Sequence, residues 1–212
     1  MQRMEKIMNE NEMFSLIESY MQHNNFAQNL YIAYMSLFEN SNKHNEILNK
    51  APGFFDITRY ALSKCMILEF AKLYCGSGNE RTIYKLINIV KANLHLFNTK
   101  DIQDFCTEAE RHMETKLKPI IDKLKKRRNE DLAHNDKKFF DGSKNPAIEN
   151  WISCDEINEL YEYTFKFLCR LIEALSIDKR VVLYEGTDDF NTFIEEFNSL
   201  IQNESNNCGE NF

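Results

Sequence analysis

The residues of this sequence that are best suited to chemistry lie together near the end of a long basic stretch. Arg128 is followed directly by Asn129, and His134 comes six residues after the arginine. A guanidinium pairs with anions, and an imidazole exchanges a proton near neutral pH. An asparagine amide both donates and accepts hydrogen bonds. These three side chains therefore form the candidate site of the sequence.

The segment around this candidate site is basic, although the chain as a whole is acidic. Residues 116–138 contain nine basic and four acidic side chains, a local charge of +5, whereas the whole chain carries −7 and the remainder therefore −12. A basic segment on an acidic body attracts a polyanion to one place while the rest repels it. A lysine-rich run is also typical of an ordinary solvated helix face.

The candidate site lies at the end of the longest predicted helix of the chain. That helix begins at Asp101 and keeps apolar residues at helical spacing as far as Leu124. Pro119 lies inside it and predicts a kink or a restart. Three and four residues after Leu124 the stripe meets Arg127 and Arg128. An arginine at the margin of a core face must reach solvent or an anionic partner, because burying it unpaired is very costly.

Whether the arginine and the histidine meet depends on the geometry of the helix end. In an uninterrupted α-helix, six steps of about 100° would turn His134 about 240° away from Arg128. The two side chains converge if the helix loosens after about Leu132, or if two copies of the segment face each other across a two-fold axis. Both routes are open, and the second implies a homodimer.

The rest of the chain predicts helices with few turns. Six glycines and three prolines in 212 residues are too few for a turn-rich sandwich or barrel. Apolar spacing predicts a helix over about 13–38, which polar residues 22–25 could divide into two, and a second helix with Asp56 as its N-cap. Further helices are predicted over about 82–94, 101–124 and 188–201, with another that opens on a capping box at Ser153 and Glu156. We expect an all-α, up-and-down helical bundle of four to five main helices with extra short helices.

We expect one domain over residues 1–212, with a core at about 13–176, the C-terminal helix at about 188–201 and a flexible polar tail at 202–212. No stretch approaches eighteen consecutive apolar residues, and the N-terminus lacks the apolar run of a secretory signal, so the sequence predicts a soluble cytoplasmic protein.

For the remaining reactive or titratable residues we expect structural roles. The six cysteines contain no Cys-x-x-Cys pair, and the five histidines have no metal-binding spacing, so we expect no metal and no cofactor. His23 is predicted to be a surface or cap residue. Glu69, on an apolar stripe, is predicted to pair with Lys64, Lys72 or Arg59.

Residues 128–136, which read RNEDLAHND, resemble the HEPN superfamily (higher eukaryotes and prokaryotes nucleotide-binding domains). The signature of that superfamily is an arginine, four to six residues and a histidine at a helix end, and this phrase looks like its abortive-infection branch. The stretch 67–74 before it and the helix at 151–175 after it are similar to the neighbouring helices of that branch. The resemblance covers about residues 13–176.

The resemblance implies a metal-independent endoribonuclease of the toxin or phage-defence (abortive-infection) kind. His134 would assist the transfer of a proton from a ribose 2′-hydroxyl. Arg128 would hold the attacked phosphate and stabilise its growing charge. Asn129 would orient the arginine, the histidine or the substrate. The products would be a 2′,3′-cyclic phosphate and a free 5′-hydroxyl.

The resemblance also implies partners. RNA backbone contacts would come from Lys126, Arg127, Lys137 and Lys138. A homodimer would build a composite site at its interface, and any antitoxin would be a separate chain because no Gly-Ser nucleotidyltransferase motif is present. Asp136 stands where some toxin members have a tyrosine, which puts phosphate-modification schemes through that tyrosine in doubt.

Two alternatives stay open from the sequence alone. One is a catalytically inactive HEPN bundle that binds RNA or a nucleotide, or acts as a dimeric interaction module. The other is a helical protein in which the motif is accidental.

Overall fold

A computed structural model describes residues 8–43, 48–76, 81–132, 149–175, 177 and 179–183, together with isolated positions between 192 and 199. Throughout these residues the ordered elements are helical, and the only β-type pairing among them is an isolated bridge between Phe97 and Leu175. The predicted all-α class is therefore confirmed. The α-helices are α1 Glu10–Lys43, α2 Pro52–Tyr74, α3 Ile83–Ala92, α4 Ile102–His112, α5 Lys118–Lys126 and α6 Cys154–Ala174.

Helix α1 runs without a break through the polar residues that could have divided it. Asn24 is fully buried, and its side-chain amide donates to the carbonyl of Tyr161 at 3.2 Å. The imidazole of His23 lies 2.8 Å from the carboxylate of Glu69. The amide nitrogen of Asn24 and the imidazole of His23 thus contact groups on other helices, and α1 continues through both residues.

Helix α2 begins five residues earlier than predicted. Pro52 is its first residue, a position where the fixed φ of proline suits a helix and the missing N–H is not needed. The prediction of Asp56 as N-cap is therefore wrong. Asp56 lies inside the helix and pairs with Arg59, one turn further on.

The long basic pattern forms a continuous helical segment that we call the basic rod, residues 102–132. It consists of α4, a π-helical turn at Met113–Leu117, α5 and a second π-helical stretch at Arg127–Leu132. Pro119 is the second residue of α5, directly after the first π turn, which confirms the predicted restart. A proline near the start of a helix leaves no intrahelical bond broken behind it.

The predicted capping box at the start of α6 is confirmed. The hydroxyl of Ser153 accepts from the N–H of Glu156, and the Glu156 carboxylate accepts from the N–H of Ser153. The same carboxylate pairs with Lys123 of the basic rod at 2.5 Å. This ion pair joins the rod to α6. The buried side chains of α5 are Ile120, Ile121 and Leu124.

The chain divides into two compact units, one of residues 1–26 and 67–182, the other of residues 27–66 and 183–212. The first contains the basic rod and is held by a core that includes Phe70, Leu86, Met113 and Leu168. In the second, Leu37 and Phe55 are buried with Leu48 and Leu62 packed against them. The expectation of one domain over residues 1–212 stays a prediction.

The predicted helix at about 188–201 and the tail at 202–212 lie outside the described residues, except for isolated positions in the helix.

Candidate functional site

Arg128 lies in the second π-helical stretch, where the basic rod ends its regular α-helix. The departure from α geometry begins at Arg127, five residues before the loosening that the sequence suggested. π-Helical turns are rare, and they are frequent at functional sites.

The guanidinium of Arg128 is fixed by two hydrogen bonds. Its Nη1 donates to the backbone carbonyl of Cys75, just beyond the end of α2. Its Nε donates to the side-chain oxygen of Asn129 at 3.0 Å. A helix leaves its last carbonyls without intrahelical donors, and a cation there also suits the negative end of the helix dipole. Arg128 is half-buried, and among the described residues these two bonds use two of the five N–H groups of a guanidinium.

The acceptor that holds Arg128 is itself firmly placed. The hydroxyl of Tyr74 is buried, donates to the carbonyl of Leu160 at 3.0 Å and lies 2.5 Å from the Thr164 hydroxyl. The thiol of Cys75 lies 3.7 Å from the carbonyl of Ile121 in the basic rod. The end of α2, which carries the acceptor of the guanidinium, is thus tied to both α6 and the rod.

The basic residues before Arg128 differ in exposure. Lys125 and Lys126 are exposed, as a contact with an RNA backbone requires. Arg127 is buried at 7% exposure, so in this conformation its side chain is not displayed to solvent. The predicted contact of Arg127 with RNA stays a prediction, and it would require that side chain to become accessible.

His134, Lys137 and Lys138 lie outside the described residues. The structure therefore gives no distance from Arg128 to His134. It also does not distinguish a loosened helix end from a two-fold dimer as the way in which the two side chains meet. The geometry brings together Arg128 and Asn129 of the three predicted catalytic residues.

The sequence did not predict two features of the structure: the backbone carbonyl of Cys75 as the acceptor for Arg128, and the contact of His23 with Glu69. The carbonyl of Cys75 has no sequence signal, because every residue has one. Glu69 does pair with Lys72, at 2.6 Å, as one of its three predicted partners. It also lies 2.8 Å from His23, which therefore bridges two helices. An acidic residue on an apolar stripe was the available signal for this cluster.

Among the described residues, no helix combines the length and the apolar character that crossing a membrane requires.

Comparison with known families gives one match that spans most of the chain. A family model described as AbiU2, of the HEPN class, matches residues 8–198. This range includes the basic rod, the π-helical stretch with Arg128, and α6. No curated protein and no solved structure matches the chain.

Proposed function

Because the chain belongs to the AbiU2 family of HEPN domains, an abortive-infection-like family, we propose that it is a metal-independent endoribonuclease that acts in phage defence. The observation that carries the proposal is the guanidinium of Arg128, held half-exposed at the end of the basic rod within the motif that ends at His134.

The reaction is an internal phosphoryl transfer. The ribose 2′-oxygen attacks the neighbouring phosphorus while the bond from phosphorus to the 5′-oxygen breaks. The imidazole of His134 takes the proton of the 2′-hydroxyl, and the departing 5′-oxygen gains a proton from solvent. The products are a 2′,3′-cyclic phosphate and a 5′-hydroxyl, so no oxidant and no metal ion enters the balance.

Arg128 stabilises the charge that grows on the phosphate oxygens during attack. A guanidinium offers parallel N–H donors that match two phosphate oxygens, and its effect is largest when it is held in place before the reaction. The Cys75 carbonyl and the Asn129 side chain hold it in this way. Asn129 is therefore a positioning residue, because it acts through the arginine.

RNA binding draws on the charge of the same region. Lys126 is exposed near the end of the basic rod, and Arg127, Lys137 and Lys138 add further positive charge nearby in sequence. Contacts from such residues to phosphates strengthen binding without selecting a sequence, and they weaken as salt is added.

The active form is a homodimer in which two copies of the segment build a composite site. Any antitoxin is a separate chain, and the protein acts in the cytoplasm on cellular or phage RNA. The dimer, the separate antitoxin and the cytoplasmic site of action are proposed from the motif and its family.

A second candidate function is a catalytically inactive bundle that binds RNA. The bond from Arg128 to the Cys75 carbonyl favours it, because the same bond would serve a purely structural arginine at the end of a helix. In that case Arg128 would stabilise the fold and contribute nothing to cleavage.

Cleavage of single-stranded RNA by the purified chain in the presence of EDTA separates the two functions. We expect the wild-type chain to cut, with 2′,3′-cyclic phosphate ends, and a substrate with 2′-deoxyribose at the cut position to resist. His134→Ala and Arg128→Ala are each expected to lower the rate by about a hundredfold or more, and Asn129→Ala by less.

Matched controls keep the result interpretable. Lys125→Ala removes an exposed cation from the same rod and should keep most of the activity. Thermal unfolding of every variant reports whether Arg128→Ala has only loosened the end of α2. Cleavage that survives in His134→Ala and Arg128→Ala would remove this site assignment, and RNA binding without any cleavage would favour the inactive bundle.

A further inference from the structure

A second concentration of positive charge lies in the first unit, outside the HEPN motif. It surrounds a pocket of about 450 Å³ that we call the α1–α2 pocket. Small-ligand sites commonly fall in this range of volume. Its walls come from α1, from the last turn of α2 and from the residue before the N-cap of α3; they are Ser19, Tyr20, His23, Lys72, Leu73 and Arg81.

Three of the six wall residues are cationic or can become so. Arg81 is exposed, Lys72 carries a mostly exposed side chain, and His23 is about one-third exposed. Side chains with these exposures can turn toward a ligand without leaving a packed core. The other three of the described wall residues, Ser19, Tyr20 and Leu73, carry no acidic group.

One carboxylate behind the wall organises two of these cations. Glu69 is 13% exposed, and its two oxygens reach Nζ of Lys72 at 2.6 Å and Nε2 of His23 at 2.8 Å. This one carboxylate therefore contacts both side chains. Among the described residues that line the pocket or contact its wall, the two permanent cations Lys72 and Arg81 outnumber the one carboxylate, Glu69.

The start of α3 holds one wall residue in place. The hydroxyl of Tyr20 donates to the carbonyl of Thr82 at 3.1 Å, and Thr82 is the N-cap of α3. This bond fixes the tyrosine ring in the wall of the pocket.

The other walls are neutral. Burial raises the pKa of Tyr20 to about 12, while nearby Arg81 acts in the opposite direction, so the ring carries no charge at neutral pH. Leu73 is buried and apolar. The hydroxyl of Ser19 donates to the carbonyl of Leu16 at 2.9 Å and keeps its oxygen as an acceptor.

From this arrangement we propose that the α1–α2 pocket binds a small phosphate monoester that carries a planar or apolar group. The phosphate would pair with Arg81, Lys72 and His23, and the remainder of the ligand would lie against Tyr20 and Leu73. The site is distinct from the Arg128 motif and does not rest on the proposed ribonuclease activity.

A small ligand fits these observations better than a second contact with an RNA chain. The cations converge on a concavity of limited volume, whereas a nucleic-acid backbone is usually followed by exposed cations along an open surface. The exposed lysines of the basic rod provide that kind of surface in this molecule.

Calorimetric titration of the full chain with AMP, in EDTA, tests the proposal. We expect binding by the wild-type chain below about 1 mM AMP, weaker binding of inorganic phosphate and no binding of adenosine. Arg81→Ala and Lys72→Ala should each weaken AMP binding about tenfold, since each removes a charge-assisted contact.

The matched control is Lys166→Ala, which removes another exposed lysine that pairs with a glutamate of its own helix. It should bind AMP as the wild-type chain does, and AMP should raise the melting temperature of both. Failure of the wild-type chain to bind AMP, equal binding of adenosine, or undiminished binding by Arg81→Ala and Lys72→Ala would overturn the proposal. Loss of RNA binding in these variants without AMP binding by the wild-type chain would point to RNA instead.

The two proposals fail separately. Arg81→Ala is expected to cleave RNA normally, and His134→Ala to bind AMP normally. AMP binding without RNA cleavage would therefore contradict the proposed function alone.

Discussion

The basic rod contains two π-helical regions with different surroundings. In the first, Met113–Leu117, the terminal residues Met113 and Leu117 are both fully buried. In the second, Arg127–Leu132, the first three residues are Arg127, Arg128 and Asn129. The first region buries its two apolar ends and exposes the three polar residues between them, whereas the second begins with polar side chains.

Their causes differ as well. Pro119 lies two residues after the first region and cannot donate to the carbonyl four residues before it, so a local widening of the helix has a steric reason. No proline or glycine lies within the second region or in the eight residues after it. There, Arg128 bonds out of the helix to the carbonyl of Cys75 and within it to the side chain of Asn129.

Irregular helix geometry therefore indicates a functional site only where local sterics do not explain it. By that criterion the second region is the candidate for chemistry and the first is a packing feature. Three substitutions test this division, one in the second region and two in or beside the first.

The largest effect is expected from Arg128→Lys in the second region. This variant keeps the positive charge but loses the planar fork that binds two phosphate oxygens, so RNA cleavage should fall by about a hundredfold to a thousandfold. Lys116→Ala removes a cation from the first region and should leave the rate unchanged. Full activity of Arg128→Lys in single-turnover cleavage would show that charge alone suffices.

The next effect is expected on stability, from Leu117→Ala in the first region. Leu117 is fully buried, and truncating such a side chain typically lowers the free energy of unfolding by about 2–5 kcal/mol. Urea denaturation measures this loss. RNA cleavage per folded molecule should stay at the wild-type level, and a fall in that quantity would couple the packing region to the site.

Sequence reasoning succeeded where partners are close along the chain. The capping box of Ser153 and Glu156 and the restart at Pro119 depend on residues within one helical turn. The buried stripe through Ile120 and Leu124 follows from helical spacing alone. These features place the basic rod and α6, and so the surroundings of the candidate site.

It failed where partners are distant. Asn24 remains inside α1 because it bonds to a carbonyl 137 residues away. Arg128 is fixed by a backbone carbonyl 53 residues away, which no side-chain pattern announces. The pocket beside Glu69 likewise needs three segments to come together before its charges meet. Such long-range polar contacts depend on the assembled fold, and one sequence does not encode them locally.

The smallest effect is expected from Pro119→Ala beside the first region. The alanine restores an N–H that can bond to the carbonyl of Thr115, which favours rewinding the π turn into an α-helix. Rewinding would shift the register of Met113 against Leu117, and their burial opposes that shift. Because the two effects oppose each other, the free energy of unfolding should change by less than about 1 kcal/mol, as measured by urea denaturation. RNA cleavage should be unaffected, because the bonds that hold Arg128 involve neither Pro119 nor the residues of the first region. A loss of cleavage would mean that the two π-helical regions are coupled.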